Sequence, residues 1–205
     1  MERKIAFFDI DNTLIYGDSL FSLYRYGCKK WPRFILWAPL IPFMALAYLL
    51  KIIPIEKMKE VFYLPLKKFT DEDYELFFDG YILGKRKEKT FQRLLSLKND
   101  GYFILMATAS PYAYMHLWQK RGYADEVIGT KTEENGNKVI GKNCAGKQKL
   151  LYVEEYLKEN SIEYDFDSSY GFSDSDRDIP MMTLCNHKVR VLKNGEHTEF
   201  IPKRK

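Results

Sequence analysis

Two periodicities alternate along the chain. Residues 4–10 form a short run rich in Ile and Phe that ends in Asp-Asn, the pattern of a buried strand feeding a loop. From residue 18 to about residue 89 the texture changes to long apolar stretches, clustered lysines and no strand-like alternation, which predicts a helical insert. Beyond it, Phe91, Leu94 and Leu95 have helical spacing within 88–97, Asn99-Asp100-Gly101 makes a turn, and 102–107 reads as a second buried strand. Ser110-Pro111 predicts the start of a helix running to about residue 121, where Gly122 marks the stop. Short strands are expected at 126–128 and on both sides of Asn135-Gly136, the latter as a hairpin. Helices are expected over 147–159 and 176–184, and strands over 168–172 and 188–192.

Strands alternating with helices imply an α/β fold, a doubly wound parallel sheet with its ligand site at the C-terminal ends of the strands. The expected division is a core from 1–17 and 90–205 with an all-helical cap, 18–89, inserted after the first strand. A length of 205 residues supports one substantial core, and 46% hydrophobic with 29% charged residues excludes disorder and a multi-pass membrane protein. A net charge of +4 is too slight to imply nucleic acid. Cys28, Cys144 and Cys185 are odd in number and widely spaced, which fits a reducing compartment better than a disulfide framework. The basic start meets two aspartates after a handful of apolar residues, too few for a secretory core, so a cytoplasmic location is expected.

Chemistry gathers at three predicted strand ends. Asp9-Ile10-Asp11-Asn12-Thr13 places two carboxylates two residues apart in a turning loop, where one can attack an electrophile while the other moves protons. The plainer account is an Asp- and Asn-rich turn. Thr108-Ala109-Ser110 offers hydroxyls and backbone N–H groups between a strand and a predicted helix, an anion seat or merely an N-cap. Ser173-Asp174-Ser175-Asp176-Arg177-Asp178 brings hard oxygen ligands of the kind Mg²⁺ prefers, or an acidic helix start favoured by the dipole.

Taken in order, hhhhDxDxT, hhhhxTxS, a lysine and GxSDxxxD resemble the four motifs of phosphatases in the haloacid dehalogenase (HAD) superfamily, with the match spanning the chain. The resemblance implies that Asp9 is the nucleophile and Asp11 the general acid/base, with Thr13 in support. It implies that Thr108, Ala109, Ser110 and a lysine hold the phosphoryl group. Asp174 would bind Mg²⁺ together with the Asp9 carboxylate and the Asp11 backbone carbonyl, and Asp178 would be the second acid of the last motif, leaving Asp176 spare. Lys142, Lys147 and Lys149 compete for the lysine role; Cys144-Ala145-Gly146-Lys147-Gln148-Lys149 is similar to the CxGxxK form of subfamily IB, which selects Lys149. An acid at position 11 separates such phosphatases from the superfamily's dehalogenases, which lack it, and from P-type ATPases, which carry Thr there. A module that kept the fold and lost catalysis is the contrary reading, disfavoured because every catalytic position is filled.

The insert contains residues 34–50, seventeen without a charge, bracketed by Lys29, Lys30 and Arg33 before and Lys51, Lys57 and Lys59 after. That is the lower bound for a spanning helix, roughly 17–25 residues. Pro39 and Pro42 would disturb such a helix, and one crossing would strand Asp9 across the bilayer from Thr108, Lys149 and Asp174. A re-entrant or interfacial helix pair on an anionic membrane surface meets neither objection, with Trp31 and Trp37 near the headgroups; a cap helix packed against its neighbours or in a dimer interface is the alternative. The insert is similar to that of subfamily IB phosphatases of bacterial phospholipid synthesis. The resemblance therefore implies a phospholipid headgroup phosphate such as phosphatidylglycerophosphate as substrate, and a peripheral position on the cytoplasmic face of the inner membrane. The alternative is a soluble subfamily IB phosphatase of a small metabolite, phosphoserine-like.

Overall fold

The computed structural model describes residues 2–202. Strand β1 (Ile5–Phe8) is buried on both faces, as a central strand of a parallel sheet requires. After it comes a helical segment: α1 (Ser19–Lys30), a 3-10 stretch Pro32–Trp37, α2 (Leu40–Leu49), α3 (Ile55–Phe62), a second 3-10 stretch Leu64–Lys68 and α4 (Asp71–Phe77). A π-turn Phe78–Ile82 and a 3-10 turn Leu83–Lys85 lead out of it. The chain continues through α5 (Glu88–Asn99), β2 (Phe103–Pro111), α6 (Tyr112–Met115), α7 (Leu117–Lys120), β3 (Glu126–Thr130), α8 (Lys147–Glu159) and β4 (Tyr170–Ser173). It ends with α9 (Ile179–Met182), β5 (His187–Val191) and β6 (His197–Glu199).

The sheet order is β3-β2-β1-β4-β5-β6. All pairings are parallel except β5 with β6, so the fold is the expected α/β doubly wound sheet with a helical insert after its first strand. Side chains alternate across β1: Ile5 and Phe7 join Leu105, Val153, Leu157 and Met181 on one face, while Ala6 and Phe8 join Met106, Phe172 and Leu94 on the other. The second cluster runs on into the insert through Leu23, Phe62, Tyr63, Phe77 and Phe78, so cap and sheet share apolar packing. Helix α1 lies so close to the second 3-10 stretch that a Cβ at Gly27 would stand 2.3 and 2.5 Å from ring carbons of Pro65. Gly27→Ala is therefore expected to lose about 1–3 kcal/mol through overpacking, outweighing the better helix propensity of Ala; a urea midpoint equal to or above the parent's would contradict that packing.

Three local expectations are corrected. The helix predicted from residue 110 begins only at Tyr112 and is broken at His116, because β2 stays extended through Pro111, which pairs with Thr130 after a register shift. The hairpin around Asn135-Gly136 reduces to one bridge, Thr132 to Val139. Its far arm turns to the cap instead, with Asn137 Nδ2 donating to the Glu60 carbonyl at 2.8 Å and the Val139 N–H to Glu60 Oε1 at 3.3 Å. The helix predicted over 176–184 is a 3-10 turn, Asp176–Asp178, followed by the four residues of α9. As expected, Pro39 interrupts the uncharged run 34–50, which forms two helical pieces. Pro42, in the first turn of α2, removes only an N–H that has no intrahelical acceptor.

That run is neither a membrane span nor a buried helix, although α2 packs against α3. Among the described residues no helix is long and apolar enough to cross a membrane. None of the ten residues of α2 is buried, and Leu46 and Leu50 face outward.

Candidate active site

The loop after β1 is pinned by its backbone. The Asp9 N–H donates to the Phe172 carbonyl on β4 at 3.0 Å, and Asn12 takes a left-handed conformation, φ 60°, that Asn tolerates better than most residues. Strand register sets Met106 and Phe172 beside Phe8, so the segments following β2 and β4 emerge next to this loop. Asp9 is buried, with Oδ1 accepting from Lys149 Nζ at 2.8 Å and Oδ2 from the Thr13 hydroxyl at 2.9 Å. Two donors on different elements thus fix both carboxylate oxygens.

Lys149, on the first turn of α8, is also buried and bridges Asp9 to Asp178 Oδ1 at 2.7 Å. Burial alone would lower its basicity, yet the two carboxylates prevail and hold the ammonium above its ordinary range. Lys142 and Lys147 are exposed. Asp178 is further held by the Ser173 hydroxyl at 2.7 Å, whereas Asp176 is turned away into an ion pair with Arg190 on β5. Of the two acids, Asp178 is the one brought to Lys149.

Thr13, fully buried, connects the first and last motifs. Its hydroxyl lies 2.9 Å from Asp9 Oδ2 and 3.3 Å from Asp174 Oδ1, and its oxygen accepts the Asp174 N–H at 3.0 Å. One hydroxyl proton serves only one carboxylate at a time. Burial pushes the Asp9 carboxyl up to about 7, with Lys149 opposing and the charge of Asp178 adding to the rise. Burial likewise raises Asp174, against the hydrogen bond from Thr13. A buried carboxylate, Asp9, and a partly buried one, Asp174, converging on one hydroxyl are hard oxygen donors that lack a full positive complement, and they fit Mg²⁺, which takes one or two carboxylates and completes its shell with water and phosphate. Among the described residues no group of three or more His, Cys, Asp or Glu forms a ready-made cage; the Mg²⁺ chemistry just described does not demand one.

Asp11 accepts the Ser19 N–H at 2.7 Å on Oδ1 and the Ser110 hydroxyl on Oδ2. Because Ser110 donates to Asp11, Ser19 Oγ donates to Ser110 at 2.7 Å, and the Tyr114 hydroxyl can donate in turn to Ser19 at 3.0 Å. This directed chain, with the Ser19 N–H, favours the Asp11 carboxylate, but burial and the charge of Asp18 outweigh it and push the group up to about 6. The anion seat expected at 108–110 is altered accordingly. The Ser110 N–H already donates to Thr108 Oγ1 at 3.1 Å and its hydroxyl is committed to Asp11, since strand geometry persists where a helix N-terminus was expected. Thr108 is fully buried, and the Ala109 carbonyl accepts from Lys59 Nζ at 2.8 Å.

Three residues were not expected at the site, among them Lys59, which the sequence offered only as a lysine flanking the uncharged run. Lys59, on α3 of the cap, also donates to Asn143 Oδ1 at 2.7 Å, and burial lowers its basicity while Asp11 and Asp18 oppose. Tyr63 is fully buried, and its hydroxyl has no hydrogen-bond partner among the described residues. Burial, then the charges of Asp11, Asp18 and Glu56, raise that phenol well above its usual range. Lys87 donates to the carbonyls of Asn12 and Leu192, clamping the loop after β1. Each sits in a basic or aromatic stretch where no spacing singles it out; only the amphipathic pattern of 55–62, with Lys59 on the same face as Glu56 and Tyr63, hints at an inward lysine.

A protein of unknown function from Bordetella pertussis Tohama I is similar in structure, with a TM-score of 0.75 at 18% identity over 93% of this chain and 90% of that one. A structure described as a phospho-aspartyl intermediate analogue of phosphoserine phosphatase gives 0.63 at 15% identity, over 93% and 87% of the two chains. A substrate-bound phosphoserine phosphatase complex gives 0.62 at 14%, over 92% and 85%. At such identities these likenesses speak for the fold. The family model of the haloacid dehalogenase-like hydrolases matches residues 6–183, and the chain belongs to that family.

Proposed function

We propose that this hydrolase is a Mg²⁺-dependent phosphomonoesterase that passes the phosphoryl group to Asp9 and then to water. The observation carrying the reading is the buried Asp9 carboxylate, oriented on one oxygen by Lys149 and on the other by Thr13. Oriented in this way, one Asp9 oxygen attacks phosphorus, forming an acyl phosphate as the ester P–O bond breaks. Asp11, protonated in the first step, gives its proton to the departing alkoxide; as a carboxylate it then takes one from the water that attacks the acyl phosphate. Ser110 and Ser19 position Asp11 for both transfers, and the Lys149 ammonium offsets charge on the equatorial phosphoryl oxygens. Asp9, Asp174 and the Asp11 carbonyl would hold Mg²⁺, with Thr108 binding the phosphate. When bound, the ion would keep Asp9 ionised and neutralise charge on the phosphate.

The cap side of the site supports a small, polar leaving group. The Lys59 ammonium and the unpaired Tyr63 hydroxyl, both buried beside Asp11, suit the acceptor groups of a small hydroxylated metabolite, and the phosphoserine phosphatases among the similar structures favour the same reading. The outward apolar face of α2 favours a second reading, in which the phosphomonoester is a phospholipid headgroup at the cytoplasmic face of the membrane. The deciding experiment is a phosphate-release screen of soluble phosphomonoesters, phosphoserine included, beside detergent-dispersed phosphatidylglycerophosphate. Release is expected with Mg²⁺ and is expected to stop with EDTA. Full activity after thorough chelation would remove the metal from the proposal, and no release from any phosphomonoester would remove the activity. Asp11→Asn should slow both proton transfers, lowering kcat by roughly 10²–10⁴-fold; an unchanged kcat would refute its role.

A further inference from the structure

The insert holds a surface that the catalytic account leaves unused. Residues 19–55 contain five basic side chains, Arg25, Lys29, Lys30, Arg33 and Lys51, and no Asp or Glu. Within this stretch the chain turns its apolar side chains outward. Leu36 is 81% exposed, Leu49 72% and Phe43 67%, and Trp37, Leu46, Leu50 and Ile52 are exposed with them. Soluble surfaces seldom gather so many large apolar side chains in one contiguous segment unless something covers them.

We propose that α2 and its flanking turns form a docking surface for an anionic lipid bilayer. Charge complementarity selects this occupant. Lys29, Arg33 and Lys51 are exposed at the two ends of the apolar segment, and with no Asp or Glu in the sequence between residues 19 and 55 they fit the phosphates of anionic headgroups. A second copy of the same face would instead set these cations against their own kind. The ten residues of α2 make about 15 Å of helix, half the thickness of a bilayer core, so the helix lies in the interface instead of crossing it. Trp37, just before the helix, and Tyr48, in its last turn, are exposed and suit headgroup depth. Helix α2 packs on α3, and α3 carries Lys59 to the Ala109 carbonyl, so the docking face adjoins the cap element that borders the catalytic loop. The inference does not rest on the phosphatase reading and survives its failure.

The test is co-sedimentation of the full chain with vesicles of pure phosphatidylcholine and of an equimolar phosphatidylcholine–phosphatidylglycerol mixture. The protein should pellet with the mixed vesicles and stay in solution with the neutral ones, and added salt should release it. Phe43→Ser with Leu49→Ser should weaken binding by at least about tenfold, since the buried apolar area sets the strength of interfacial helices. Lys29→Glu with Arg33→Glu should weaken it comparably on mixed vesicles; Lys30 is left in place because its ion pair with Asp73 ties α1 to α4. Both pairs of substitutions lie on exposed positions, and hydrolysis of a soluble phosphoester should be unchanged. Equal recovery in the supernatant with both vesicle types would overturn the proposal, as would equal binding to both. A concentration-dependent dimer that Phe43→Ser and Leu49→Ser dissolve, without vesicle binding, would assign the surface to a second copy and overturn it too.

Discussion

Asp9→Asn is expected to abolish turnover, with a loss of at least about 10⁴-fold in kcat, while the fold persists. The amide has the shape of the carboxylate but cannot form the acyl phosphate. Its neighbourhood can adapt to the change. The amide oxygen keeps the Lys149 bond, and the Thr13 hydroxyl, which already lies 3.3 Å from Asp174 Oδ1, can turn its proton there and accept from the new NH₂ group. Kinetics and a thermal melt on the same preparation check both halves. Substantial phosphatase activity in the variant would dismiss Asp9 as nucleophile; a collapsed melt would mean that the loss of activity reports on folding.

Lys149→Met should be nearly as damaging, and for two separable reasons. The ammonium is the positive group between the buried Asp9 and Asp178, at 2.8 and 2.7 Å, so its removal leaves two carboxylates facing each other out of water. Breaking a buried ion pair from one side typically destabilises by about 3–5 kcal/mol. Loss of a preorganised charge at the phosphoryl oxygens should also lower kcat/KM by roughly 10²–10³-fold. The instability should shrink as pH falls, because the Asp9 carboxyl, held above its unfolded value by burial, gains a proton on folding, and stability is then lost as pH rises. Urea midpoints at two pH values and kcat/KM at saturating Mg²⁺ read the two effects. Lys147→Ala, at an exposed position two residues earlier, should change neither; the opposite pattern would transfer the lysine role to Lys147.

The parallel core was legible because burial on both faces leaves near-continuous apolar runs, as in Ile5–Phe8, each ending in polar residues where the site lies. The Asp9-to-Thr13 motif and Ser173-Asp174 were legible for the same reason, since their position at strand ends could be read from one dimension. What escaped depends on contacts that sequence spacing does not encode. Pro111 has the appearance of a helix opener, but its pairing with Thr130 on β3 keeps it in the strand. Asp176 and Asp178 are equivalent on paper; Arg190, fourteen residues away on β5, draws one of them out and leaves the other for Lys149. Lys59 and Tyr63 reach the site only because the cap folds back over it, and nothing in the local sequence marks which of many lysines and tyrosines will do so. The short β6 was missed since it forms only as the return arm of a tight turn at Gly195.

The central claim is a covalent phosphoryl group on Asp9, and it can be caught directly. Acid quenching during steady-state turnover, followed by borohydride reduction, converts an aspartyl phosphate to homoserine, which peptide mass spectrometry can place in the chain. The account predicts homoserine at position 9, dependent on substrate and absent from Asp9→Asn. Homoserine at another carboxylate, or none at position 9 while phosphate release proceeds at full rate, would contradict it.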